Sequence, residues 1–343
     1  MAESDFLVTL ALGDAFGSAF EYVTPDVIRD HLLKLEYRSH PKFKRPPGTY
    51  TDDTQMALAV AELLLDKDPA TWTMFDVARA FIGAFMRDPR TGYASNFYKL
   101  LHDIHLSITS ANWPPNSEGR QLDVAAASFL GKVRPHSNKS GGAMRAAPLG
   151  LLPDKDQVRD FAMMQASLTH ATRMGMEAAA AAALLTHYFY YRVGERAKVG
   201  QWLDNELPGW SWDLPWTRRV ESEGYQHVRA AIRALTLAKT QTEVLISAIA
   251  VGGDVDTVAA IAMPAATFCD DLEADLPANL FDELENGTYG RDYLRDVSRN
   301  LRLKFKRPKV VTPAVEPEQA ALFSDDDAVR PPCNPPSPDY VPR

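Results

Sequence analysis

The sequence predicts an all-α fold, a compact helical bundle, and three observations carry that prediction. Apolar runs rich in Ala, Leu and Met recur without strict alternation. Alternating Val-, Ile- and Thr-rich segments of strand type are nearly absent. No period of about 20–50 residues points to a solenoid. The runs fall at 5–20, 54–66, 73–87, 121–131, 156–170, 173–192, 217–239, 242–251 and 256–269.

The first run, LALGDAFGSAFEY, carries Asp14 and Glu21 seven residues apart and so on nearly one face. Gly13 and Gly17 strip side chains from a neighbouring stripe, which lets another element or a ligand approach the backbone. Asp14 reads as a buried capping or structural carboxylate, and Glu21, at the helix end, as the better placed to reach a cation. The second run opens at TYTDDTQMALAVAE, the last at AVGGDVDTVAAIAMPAA, where Pro264 is expected to kink the helix. The block Ala178–Ala183 lets helices approach closely and suits a central helix buried on most sides. In SGGAMRAAPLGLL, Gly141-Gly142 reads as bare backbone before a helix start, either a plain turn or a seat for phosphate. His170 stands at the junction of two helical runs, where a cap or packed side chain is the ordinary role.

From about Pro308 the composition changes. Nine prolines (308, 313, 317, 331, 332, 335, 336, 338 and 342) and the run Asp325-Asp326-Asp327 leave little to bury. The expectation is a folded helical domain over 1–306 and a Pro-rich acidic disordered tail over 307–343.

Composition narrows the function classes. At 343 residues, 45% hydrophobic and 24% charged, this is an ordinary globular composition. A net charge of −8 argues against a protein built mainly to bind nucleic acid. Two cysteines, Cys269 and Cys333, are too few for a disulfide framework or a zinc site. The N-terminus has no basic n-region, and no uncharged apolar run reaches membrane-spanning length. A cytoplasmic, monomeric protein is expected.

The chemistry lies in two acidic clusters. Thr51, Asp52 and Asp53 precede one helical run; Asp254, Asp256 and Thr257 precede another about 200 residues later. Asp and Thr also favour helix N-termini, so one cluster alone reads equally as a cap. Two matched clusters form a hard, all-oxygen ligand set suited to Mg²⁺, Mn²⁺ or Ca²⁺, and their convergence would make a two-metal site. Being consecutive, Thr51, Asp52 and Asp53 are expected to ligate from the loop before their helix, and Gly252-Gly253 permits the tight backbone the second cluster needs.

These motifs, in this order and spacing over residues 5–300, resemble the ADP-ribosylglycohydrolase family. The resemblance implies an orthogonal helical bundle with a binuclear Mg²⁺ or Mn²⁺ centre that hydrolyses the glycosidic bond between ADP-ribose and an acceptor. Thr51, Asp52, Asp53, Asp254, Asp256 and Thr257 match the metal ligands, and Glu21 the glutamate that approaches them. Gly141, Gly142, Ala143 and Met144 match the diphosphate and ribose loop, and His170 the Thr-His element near the substrate. Asp103 matches a further acidic residue near the scissile bond in some members. Glu21 or Asp53 would carry the proton. The family loop commonly reads G-N-G-A-A-M-R or G-C-G-A-A-M-R; Lys139, Ser140 and Gly142 depart from it here.

Two rival readings remain. One is an ADP-ribose-binding, sensor or immunity protein of this fold with little turnover. The other is a metal-dependent phosphohydrolase, which would need histidines beside the carboxylates, where the sequence places none. The acceptor, whether protein, nucleic acid or small molecule, is left open. Gln319-Ala320-Ala321-Leu322-Phe323 resembles the Q-x-x-L-F peptide by which many bacterial proteins dock on the replication sliding clamp.

Overall fold

The computed structural model describes residues 5–307. Arg307, expected to begin the tail, instead donates to Tyr190 O at 2.8 Å and Phe268 O at 2.7 Å; the rest of the expected tail and the Gln319–Phe323 peptide lie outside the described residues. Among these residues no strand occurs; the chain forms fourteen α-helices joined by turns. They are α1 (Phe6–Gly17), α2 (Pro25–His31), α3 (Asp52–Asp66), α4 (Met74–Arg87), α5 (Ser95–Thr109), α6 (Glu118–Lys132) and α7 (Lys155–His170). Then follow α8 (Arg173–Tyr190), α9 (Val199–Glu206), α10 (Gly224–Leu237), α11 (Gln241–Ala250), α12 (Val255–Phe268), α13 (Ala278–Asp282) and α14 (Arg291–Lys304). The all-helical expectation holds.

The core is organised around α1 and α12, whose every residue is buried. Glycine makes their pairing close: a Cβ on Gly13 would lie 2.9 Å from the Ala259 carbonyl oxygen, and one on Gly17 only 2.5 Å from Asp256 Cα. The backbone of α1 therefore rests on the first turn of α12, which fixes where Asp256 stands. Around this pair lie α8, α10, α11 and α3. The Ala block expected at the centre belongs to α8, buried from Ala178 to Tyr190. Pro264 is accommodated within α12, which continues to Phe268.

Three local expectations change. The run expected from residue 217 becomes helical only at Gly224. Val220 is instead paired with the Gly-Gly turn: its N–H donates to Gly252 O at 2.9 Å, and Asp254 N–H donates to its carbonyl at 3.2 Å. Gly253, at φ +100°, meets Val220 so closely that any side chain would collide with it. Secondly, Gly141-Gly142 does not precede an α-helix; it lies in a 3₁₀ turn, Ser140–Gly142, and the next α-helix starts at Lys155. Finally α2, α5, α9, α13 and α14 fall outside the apolar runs, being short or carrying a narrow apolar stripe on a polar helix. In α14, for example, only Leu294, Val297, Ser298 and Leu301 are buried.

Candidate metal centre

Thr51 is the N-cap of α3, and Asp52 and Asp53 are its first two residues, not loop residues as expected. The Thr51 hydroxyl does not cap its own helix. Asp14, fully buried on α1, does that from outside. It accepts from Thr51 N–H (2.9 Å), the Thr51 hydroxyl (2.7 Å), Thr54 N–H (3.0 Å) and the Thr54 hydroxyl (2.6 Å). The N-terminal donors of α3 are thus satisfied by a neighbouring helix, which leaves Asp52 and Asp53 free to face inward. Because the Thr51 hydroxyl hydrogen points at Asp14, its oxygen lone pairs are directed elsewhere.

The second cluster opens α12, with Asp254 as N-cap and Asp256 and Thr257 in the first turn. The fold brings it to the first: one ligand atom each from Asp14, Asp53 and Asp256 lie within 4.8 Å of one another, as do those of Glu21, Asp254 and Asp256. The two triplets share Asp256. Asp14, committed to four hydrogen bonds, acts as a brace in this group. Asp53 Oδ1 is buried and has no hydrogen-bond partner.

Electrostatics mark the centre as short of positive charge. Burial, then the neighbouring carboxylates, pushes Asp52, Asp53 and Asp256 well above the usual carboxylate range. Burial and the Asp254 charge raise Glu21 to about 7, against the opposing pull of Arg45, whose Nη2 lies 3.3 Å from Glu21 Oε2. Asp254 is the exception. Burial works against its charge, but His227 beside it holds its carboxyl below the usual range.

His227 is the residue sequence reading missed. It lies fully buried on α10, with Nδ1 3.0 Å from Glu223 O and Nε2 2.9 Å from Asp254 Oδ2. A histidine therefore does stand against the acidic cluster. It contacts a carboxylate from behind and does not line the cleft, so it is placed to orient Asp254.

A cleft of about 600 Å³ opens over the centre. Glu21, Asp52, Asp53, Asp254, Asp256 and Thr257 line it, and Tyr93, Phe97, Lys132, Arg134 and Lys139 form another part of its wall. Of the loop residues, Gly141 and Met144 line the cleft. Gly142 and Ala143 do not: Gly142 is packed against Ala166, Gly175 and Ala179, and Ala143 is buried. Asp103 is also elsewhere, on an exposed face of α5, paired with Lys99 at 2.7 Å.

His170 lines the cleft beside Gly141. Arg145 Nη2 donates to the Thr169 hydroxyl at 2.8 Å, and that hydroxyl lies 2.6 Å from His170 Nδ1. A hydroxyl that accepts from Arg145 has its own hydrogen for Nδ1, so Nε2 carries the ring proton. Burial, then Arg145 and Lys139, lowers His170 to about 3, so the ring is neutral. Nε2–H is a donor beside the bare backbone of Gly141.

The fold and the site define an all-helical protein with a candidate oxygen-ligated cation centre at the meeting of three helices, beneath a cleft of nucleotide size. The chain belongs to the ADP-ribosylglycohydrolase family, whose model matches residues 5–310. It is 34% identical over 186 residues to human ADP-ribosylhydrolase ARH3, covering 51% of this chain and 46% of that protein. The chain thus spans about half the length of the curated relatives it matches there. It is 25% identical over 265 residues to the ADP-ribosylarginine hydrolase Tri1 of Serratia proteamaculans, covering 74% of this chain and 67% of that protein. A solved structure described as an ADP-ribosylglycohydrolase-related protein complex shares the fold, with TM-score 0.57 and 22% identity over 87% of this chain and 95% of that one.

Proposed function

We propose that this protein is a metal-dependent hydrolase that releases ADP-ribose from an acceptor by cleaving the bond at the anomeric carbon of the ribose. One observation carries the proposal: Asp53 of α3 and the pair Glu21 and Asp254 both converge on Asp256 of α12, with Asp14 of α1 bracing the group, under a cleft in a member of this family. The ligands are all oxygen, which suits Mg²⁺ or Mn²⁺, and the unpartnered Asp53 Oδ1 and shared Asp256 suit two cations better than one. Thr51, Asp52, Asp53, Asp254, Asp256 and Thr257 would hold them. When bound, the cations supply charge that orients the ribose hydroxyls and acidifies water.

The chain's own groups do the rest. Water attacks the anomeric carbon, the bond to the acceptor's nitrogen or oxygen breaks, and the transition state is oxocarbenium-like. Asp53 accepts the proton lost by water. Glu21, raised towards neutrality by burial and the Asp254 charge, delivers one to the leaving acceptor. His170 Nε2–H and the Gly141 backbone hold the diphosphate or ribose, and Tyr93 and Phe97 offer apolar wall to the adenosine.

The test is release of ADP-ribose from ADP-ribosylated peptides and oligonucleotides by the wild type and by Asp254→Ala and Asp52→Ala. Turnover by the wild type that both variants lose is expected. Tight ADP-ribose binding without turnover on any linkage would favour the binding-protein reading, and equal turnover by all three would sink the metal assignment.

A further inference from the structure

The segment between α2 and α3 is pinned to the cleft. His40 Nδ1 accepts from the N–H groups of Lys42 and Phe43, both at 3.0 Å, so the ring proton is on Nε2, which donates to Glu21 O at 2.9 Å. Arg45 reaches the Glu21 side chain. The loop therefore forms the rim of the cleft at its Glu21 end.

In an acidic chain this rim is locally basic. Arg38, Lys42, Lys44 and Arg45 fall within eight residues, and Arg219 lies over the ring of Tyr22, a cleft residue, at 5.5 Å. Among the described residues, Arg38, Lys42 and Lys44 form no ion pair. Two guanidinium nitrogens of the loop, Arg38 Nη1 and Arg45 Nη1, are buried with no acceptor. Buried donors of this kind are rare, and those on a cation call for an anion or water. Phe43 stacks on His40 at 4.5 Å between centroids and has the Arg45 guanidinium over its ring at 5.5 Å, yet remains 47% exposed between Lys42 and Lys44. A cavity of about 470 Å³ opens among residues 39–46.

We propose that this rim seats the acceptor, and that the acceptor it fits is single-stranded nucleic acid: the exposed Lys42 and Lys44 take phosphates, the charges of Arg38 and Arg45 behind them add to the field, and a base packs on the exposed part of Phe43. Lysines alternating with an exposed aromatic are the elements that hold a single strand without reading its sequence. An arginine acceptor would meet like charge here. The net charge of −8 opposes a general nucleic-acid surface but not a local one, since charges beyond about 10 Å are screened at ordinary salt. This inference rests on the function proposed above for the choice of site; its test does not require turnover.

The probe is a fluorescein-labelled single strand of about 16 nucleotides, followed by anisotropy in Mg²⁺ from about 50 to 200 mM salt. The wild type should bind with affinity that falls as salt rises. Lys42→Glu with Lys44→Glu removes two phosphate contacts and should lower the log–log salt slope by about 1.4. Phe43→Ala should weaken binding at least about fivefold at every salt. Melting temperature and affinity for free ADP-ribose, measured on the same variants, should not move. Absence of wild-type binding, unchanged binding in both variants, or stronger capture of a phosphopeptide of matched charge would overturn the inference. Normal turnover on an ADP-ribosylated peptide together with no oligonucleotide binding would overturn this inference alone and leave the proposed function standing.

Discussion

Replacing Asp14 by alanine should destabilise the protein although Asp14 is not among the proposed metal ligands. Its carboxylate caps α3 from α1 and accepts four hydrogen bonds. The two threonine hydroxyls can turn to other acceptors; the N–H groups of Thr51 and Thr54 cannot. Two buried donors left without partners cost about 1–3 kcal/mol each, or ~2–6 kcal/mol together. Removing one negative charge from beside Asp52, Asp53 and Asp256 offsets part of that, leaving about 3 kcal/mol. For a unit of about 300 residues this is roughly a 6 °C fall in melting temperature. Circular dichroism melts in EDTA, where no cation relieves that repulsion, measure it. Asp14→Asn, which keeps one acceptor oxygen, should fall between the two proteins. A shift in Asp14→Ala below about 1 °C would refute the bracing role, since it is less than half of what one orphaned amide costs.

Three further outcomes are expected. Glu21 is raised from 4.5 to about 7, so the metal-free fold holds a proton its unfolded chain releases; that stability is present below pH 4.5 and lost as pH rises through about 7. The melting temperature in EDTA should therefore drop from about pH 5 to 8, and Mg²⁺ or Mn²⁺ should flatten the slope and raise the curve; an unchanged melting curve on adding either ion speaks against the centre. His227→Leu should weaken cation binding by about 10–100-fold in calorimetry, whereas His227→Gln, which can still donate to Asp254, should recover most of it; equal affinities would make His227 mere packing. Gly141→Ala, whose Cβ would meet His170 Cε1 at 2.9 Å, should weaken ADP-ribose binding in a folded protein, while Gly142→Val, packed against Ala166 and the Gly175 carbonyl, should chiefly lower the melting temperature. The reverse pattern would move the substrate to the other glycine.

The helical class was legible because its signal is local: Ala-, Leu- and Met-rich runs need no tertiary information. The acidic motifs were legible for a related reason, since each triplet of donors is contiguous or nearly so. What lay hidden depends on contacts across the fold. His227 occupies an ordinary buried position of α10, and nothing near it in sequence signals Asp254, 27 residues away. Asp14 offered two readings, and only the position of Thr51 and Thr54 selects the cap. Gly142 reads like Gly141 in sequence, yet the two face opposite sides of one turn, the first towards α7 and α8 and the second towards His170. Asp103 carried the right chemistry on a helix whose exposed face turns it to Lys99.

The contact of Gly17 with Asp256 has a consequence for motion. With α1 and α12 backbone to backbone and both wholly buried, the amides of α12 should be among the last to exchange with deuterium, opening only when the whole domain unfolds. Asp256 therefore keeps its place on the timescale of ligand traffic. Amide protection in α12 should stay unchanged when ADP-ribose is bound, and any added protection should fall on the walls of the cleft.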